Sequence, residues 1–193
     1  MKDRFSLLYQ KYMAFLEKNI PDHLTYHSAS HTKDVIEKVK LIGNIENLSD
    51  KDLELTKVAA LFHDMGYLVQ KNGHENISCE IAKKELPPWG FSEKEINEIC
   101  TAIMATKVPQ KPKNHLGKIL ADADLEYLGT EHFEKGTSLL FQELKYTDPS
   151  LDEEKWIEIQ IEFLRQHQYH THFCRSNREP KKKEHLQKLI QRK

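Results

Sequence analysis

A chain of 193 residues with 38% hydrophobic and 31% charged side chains suits one soluble globule and is too short for two comfortable domains. Its 29 Lys and Arg nearly balance 30 Asp and Glu, for a formal net charge of −1, so no overall field draws it to nucleic acid or to a membrane. No apolar run approaches the roughly 20 residues that span a bilayer. The N-terminal stretch MKDRFSLLYQKYMAFLEKNI carries charges throughout, and Cys79, Cys100 and Cys174 are scattered as reduced thiols would be; the expected location is cytoplasmic.

Only seven glycines and seven prolines punctuate the chain, and few windows alternate apolar with polar residues, which predicts helices rather than sheet. Phe5, Leu8, Tyr12, Phe15 and Leu16 make one apolar stripe, ended near Pro21. Val35, Ile36, Val39 and Ile42 make a second, ending at Gly43. Ser49 and Asp50 cap a third helix with Leu53, Val58, Ala59, Leu61 and Phe62 on its buried face, and Gly66 stops it just after His63-Asp64.

Further helices are predicted over 74–86, 92–105, 115–128, 130–144, 152–168 and 179–191, with Ser92 and Glu95 in capping-box spacing. Pro87-Pro88, the stretch from Pro109 to Pro112, and Asp148-Pro149 mark loops. With no internal repeat or low-complexity linker, the expectation is an all-α fold of eight or nine helices in a single domain spanning 1–193. Residues 175–193 carry eight basic side chains against Glu179 and Glu184, while 131–158 is acidic; the two regions are expected to face each other, or the basic run to lie on a solvated helix face.

Chemistry concentrates at three places. His31 opens a helix shortly after His27, and His63-Asp64 follows directly on the apolar run Val58-Ala59-Ala60-Leu61-Phe62. Asp122 and Asp124 sit in another apolar stretch, Leu120-Ala121-Asp122-Ala123-Asp124-Leu125. An imidazole or carboxylate buried without a partner is costly, and adjacent buried carboxylates take up protons unless a cation compensates them. A shared divalent ion removes both costs, because imidazole and carboxylate together suit such a metal.

The ordered set His31, His63-Asp64 and a later Asp resembles the HD superfamily of metal-dependent phosphohydrolases. The phrases YHSASHT, LFHDMGY, HENIS and LADADLEYLG resemble a bacterial-type branch of predicted HD phosphohydrolases. The motifs run from Tyr26 to Gly129, giving a motif core at 26–129 and a helical extension at 130–193.

The resemblance implies an HD-type helical bundle in which His31, His63 and Asp64 match the first three ligands. The fourth is Asp122 or Asp124. Asp124 is preferred because an apolar residue, Leu125, follows it, as is common in the family; Asp122 then orients a ligand or the water. His27, four residues before His31, is an alternate ligand or a neighbour of one. His74 and His115 do not match the family's two-metal pattern, so one ion per chain is expected, drawn from Mn, Fe, Co, Ni, Mg or Zn.

The implied reaction is hydrolysis of a phosphate ester by metal-activated water, with a nucleotide as the leading substrate and no nucleic acid or membrane as partner. Asp64 and Glu75 are the candidates for handling protons, and Lys107, Arg175, Arg178 and Lys182 for holding phosphate. The alternative is a non-catalytic module holding a metal and a nucleotide. His74 and Glu75 also fit a plain helix start, and His167, His170 and His172 fit a solvent-facing helix end and loop. Tyr127, three residues after Asp124, is placed to line the pocket.

Overall fold

A computed structural model describes residues 4–192, and among them there is no strand. Ten α-helices follow one another: α1 (Arg4–Asn19), α2 (Ala29–Ile45), α3 (Asp50–Phe62), α4 (His74–Glu85), α5 (Glu93–Ile103), α6 (His115–Asp124), α7 (Phe133–Thr147), α8 (Glu153–Gln166), α9 (His172–Asn177) and α10 (Glu179–Arg192). Side chains at the starts decide most of the boundaries. Ser28, Ser49, Ser92, Asn114, Asp152 and Thr171 each accept a backbone N–H of the first turn that follows, and Ser92 with Glu95 completes the capping box. Gly73, at φ 72°, supplies the left-handed turn that admits α4.

Helices α1 to α6 enclose the larger core. Leu8 and Leu16 of α1, Ile36 and Ile42 of α2, Leu55 and Phe62 of α3, Ile99 and Ile103 of α5, and Ile119 of α6 are all buried in it. The predicted stripe on α1 holds except at Phe15, which is 47% exposed because Leu16, four residues after Tyr12, takes the inward place. A smaller cluster joins Leu125 and Leu128 to Phe133 of α7, Ile161 and Leu164 of α8, and Leu189 of α10. The C-terminal helices therefore dock on the residues that follow α6. The predicted helix over 115–128 ends at Asp124, and a 3-10 turn at Glu126–Gly129 makes that junction.

The helix count exceeds the expected eight or nine by α9, whose six residues are too few to show a periodic stripe. Of the three histidines expected at a solvent-facing end, His172 is exposed and His170 half-buried, but His167 is not solvent-facing. His167 is buried, and Lys182, only 2% exposed, donates to its carbonyl at 2.6 Å with Nζ 3.3 Å from Nδ1. On α10 the basic Lys183, Lys188 and Arg192 do lie on a solvated face, whereas Lys182, with His185 and Leu189, is buried along the other. Among the described residues, the expected pairing with the acidic region is seen between Lys181 and Glu131 at 2.9 Å.

Burial, helped by the Lys182 charge, pushes the His167 imidazole down to about 3 from its ordinary 6.5. The unfolded chain therefore binds a proton there that the folded chain refuses. This contribution to stability is complete above pH 6.5 and is lost as pH falls toward 3. Denaturant midpoints measured from pH 7 to 4 are expected to fall less steeply for His167→Phe than for the parent protein. Equal slopes would remove His167 from the acid response.

Candidate metal centre

Three separate turns of the core deliver one side chain or two each to a common point. His31 sits in the first turn of α2, where its N–H reaches the Ser28 cap at 3.3 Å. His63 is the C-cap of α3, wholly buried, and its Nδ1 lies 2.8 Å from the Ala60 carbonyl. That contact makes Nδ1 the protonated nitrogen and leaves the Nε2 lone pair for the cluster. Asp64 follows at once, and Asp124 is the last residue of α6.

The four groups converge. His31 Nε2 lies 3.0 Å from Asp124 Oδ1 and 3.5 Å from Asp64 Oδ2; His63 Nε2 lies 3.1 Å from Asp64 Oδ2 and 3.6 Å from Asp124 Oδ1. Ligand atoms of His31, His63 and Asp124 all fall within 4.8 Å of one another. His63 Nε2 and Asp64 Oδ2 are completely buried and have no hydrogen-bond partner among the described residues. They face each other at 3.1 Å without hydrogen-bond alignment, and a native core rarely tolerates polar atoms so placed unless an ion or water serves them.

The electrostatics point the same way. Burial alone would lift the Asp64 carboxyl, but the His63 imidazole beside it holds it well below the usual carboxylate range. Burial likewise opposes charge on His63, and the two aspartates override it and raise its pKa well above the ordinary value. The pocket therefore favours positive charge between its carboxylates. A divalent cation fits this two-nitrogen, two-oxygen donor set.

The same structure separates the two aspartates. Asp122, two residues before Asp124, lies on the opposite side of α6. Its carboxylate accepts the His170 N–H at 2.8 Å, the Thr171 N–H at 2.8 Å and the Thr171 hydroxyl at 2.6 Å, so it anchors the start of α9 and does not orient a ligand or water in the cluster.

Of the neighbouring candidates, His74 opens α4 with Nε2 3.5 Å from Asp64 Oδ1 and 3.8 Å from Glu75 Oε1. Glu75 and Lys107 line the cavity that opens on Asp64 and Asp124. His27 is turned to Glu143, with Nδ1 2.5 Å from Oε1, and its ring stacks on Tyr67 at 4.0 Å. His115 is exposed at the start of α6, 3.4 Å from the Glu46 carbonyl. Tyr127 lines the cavities on both sides of Asp124.

The tail residues proposed for phosphate have other partners. Arg178 pairs with buried Glu126, Lys182 with Glu179 at 2.9 Å, and Arg175 donates to the Thr171 carbonyl; none of the three lines either cavity beside the cluster. Lys182 is buried and Arg178 half-buried in their ion pairs, and exposed Arg175 lies away from both cavities, so none is placed to meet a phosphate there.

Two positioning residues lie outside the predicted set. Ser78 of α4 donates to the His63 carbonyl at 2.6 Å and accepts the Gly66 N–H at 2.8 Å, tying the His63–Asp64 turn to α4. It stands four residues after His74 inside HENIS, so its face of the helix was readable. Glu143 of α7 accepts the Tyr26 and His27 N–H groups, each at 3.0 Å, and fixes the approach to α2. Nothing local marked it, since Gln142 and Lys145 flank it as on any solvated helix face.

The family profile of the HD domain matches residues 28–126, just over half the chain and inclusive of all four converging groups. The chain belongs to the HD domain family. This HD domain is also similar to the crystal structure of a predicted HD superfamily hydrolase from an uncultured Thermotogales bacterium, at 25% sequence identity and a TM-score of 0.57. That similarity covers 82% of this chain and 88% of the other. No curated protein matches the chain. No helix among the described residues of this HD domain is long and apolar enough to cross a membrane.

Proposed function

We propose that this HD domain is a metal-dependent hydrolase of phosphate esters, with His31, His63, Asp64 and Asp124 holding one divalent ion. The observation that carries the reading is the convergence of four ligand groups on one point, with His63 Nε2 and Asp64 Oδ2 buried 3.1 Å apart and neither making a well-aligned hydrogen bond among the described residues. When bound, such an ion lowers the pKa of a water and polarises a phosphoryl oxygen.

The chain's own residues supply the rest. The Ala60 carbonyl keeps His63 in the tautomer that presents Nε2. Glu75, buried at the start of α4, can take a proton from the attacking water, and His74 between it and Asp64 keeps that carboxylate oriented. Lys107, on the wall of the same cavity, offers positive charge to the phosphoryl oxygens. The family resemblance makes nucleotides the first substrates to try.

The test is turnover of aryl phosphates and nucleotides across a panel of divalent metals, with ion content read by elemental analysis. One ion per chain is expected, and Asp64→Ala is expected to lower turnover by about 10³-fold or more with an unchanged circular dichroism spectrum. Tight ion binding with no turnover of any phosphate ester would reduce the site to a binding module.

A further inference from the structure

The cavity beside the cluster has two unlike ends. Its volume is ≈ 510 Å³, and Asp64, His74, Glu75, Lys107 and Asp124 line one part of it. The other part is walled by Leu140 and Leu144 of α7 and by Trp156, Phe163 and Leu164 of α8. Those two helices lie outside the 28–126 span that matches the HD family profile.

Two polar side chains of that wall, Thr137 and Gln160, are already engaged. The Thr137 hydroxyl donates to the Phe133 carbonyl at 2.9 Å and lies 3.2 Å from that of Glu134. The Gln160 amide N–H donates to the Trp156 carbonyl at 3.4 Å. A nucleobase lodged there would bring several donors and acceptors to a wall made mostly of hydrocarbon, with the Trp156 indole N–H as one donor to meet them, and each group left unpaired would cost binding. An apolar group would leave nothing unsatisfied and would gain from leaving water.

We propose that the α7–α8 wall is a specificity chamber for the alcohol part of the substrate, and that this part is apolar: the preferred substrate is the phosphate monoester of an aliphatic alcohol rather than a nucleotide. This rests on the phosphohydrolase reading above. The phosphate meets the His/Asp cluster and Lys107, while the carbon chain runs between α7 and α8. Hydrolysis adds water across the P–O bond, leaving inorganic phosphate and the free alcohol, with the water's proton passing to Glu75 and on to the alkoxide oxygen. No oxidant or further co-reactant is needed.

The metal-loaded protein can be assayed with ethyl, butyl and hexyl phosphate and with a nucleoside monophosphate, and hexylphosphonate can be titrated against Trp156 fluorescence with Trp156→Phe as the control. The expected result is a rise in kcat/KM of about threefold to fourfold per added methylene, a nucleoside monophosphate below hexyl phosphate, and quenching that Trp156→Phe abolishes. Leu140→Asp should cut the hexyl-to-ethyl ratio by about tenfold, a readout that a general loss of fold would not move.

Turnover that ignores chain length, or favours the nucleotide, overturns the chamber and leaves the hydrolase standing. Quenching by hexylphosphonate with no turnover of any ester supports the chamber and overturns the hydrolase. Absence of both overturns both, and a hexyl preference that survives Leu140→Asp refutes its placement between α7 and α8.

Discussion

Asp124→Asn is expected to yield a folded protein that retains no divalent ion and turns over about 10³-fold more slowly, whereas Asp122→Asn should keep the ion and lose stability. The two side chains differ by two positions on one helix and by nothing in chemistry, so the contrast isolates geometry. Asp124 Oδ1 lies 3.0 Å from His31 Nε2 and 3.6 Å from His63 Nε2, among groups that burial would otherwise keep neutral. Burial works against its charge too, and the two histidines overcome that and pull its pKa well below the usual value. An amide in its place removes the negative charge a cation needs, yet fills the same volume, so the fold should survive.

Asp122 faces three donors instead, at His170 N, Thr171 N and Thr171 Oγ1. An amide NH₂ turned toward any of them leaves a buried donor unpaired, at about 1–3 kcal/mol. The loss should appear as a melting temperature lower by several degrees, since about 1 kcal/mol corresponds to roughly 2–4 °C at this size. Elemental analysis and thermal denaturation of both variants decide the matter. Metal retained by Asp124→Asn, or lost with Asp122→Asn, would contradict the arrangement.

That pair also shows how far the amino-acid sequence could be read. His31, His63 and Asp64 stood out because polar groups set against apolar runs need a common partner, and the order in which they occur resembles the HD family. The choice between Asp122 and Asp124 could be stated as a preference but not proved, because what occupies Asp122 is α9, a helix of six residues with no periodic signature. Contacts between distant segments were equally invisible. Glu143 meets His27 across 116 positions of chain, and no local pattern pairs them. The basic tail misled for the same reason: Arg178 and Lys182 look free in a charged run, and only their burial beside Glu126 and Glu179 shows where their charge goes. The periodic helices α1 to α6 were legible because each carries its own apolar stripe; the cavity wall built from α7 and α8 emerges only once they are packed.

Gly66→Ala is expected to be among the most damaging single methyl groups that can be added to this HD domain. Gly66 follows Asp64 by two residues, and a Cβ built there would lie 2.0 Å from the His74 carbonyl oxygen and under 3 Å from the His74 carbonyl carbon and Cα. All three obstacles are backbone, so no side-chain rotation relieves them. The turn after Asp64 and the first turn of α4 would have to separate. Ser78 now holds them together, its hydroxyl bound at once to the Gly66 N–H and the His63 carbonyl.

Because the obstacle is main chain, the cost should reach the upper end of the overpacking range, about 3 kcal/mol, or a melting temperature lower by roughly 6–12 °C. Activity should fall beyond what the lost stability explains, since the movement carries His74 away from Asp64 and Glu75 with it. Ser78→Ala provides the comparison: it removes both hydrogen bonds without adding bulk, so it should destabilise the turn less and displace His74 less. Thermal denaturation and turnover measured on the two variants at a temperature where both are folded separate these effects. A Gly66→Ala protein as stable as the parent would mean that α4 does not rest on the His63–Asp64 turn in the way its backbone contacts require.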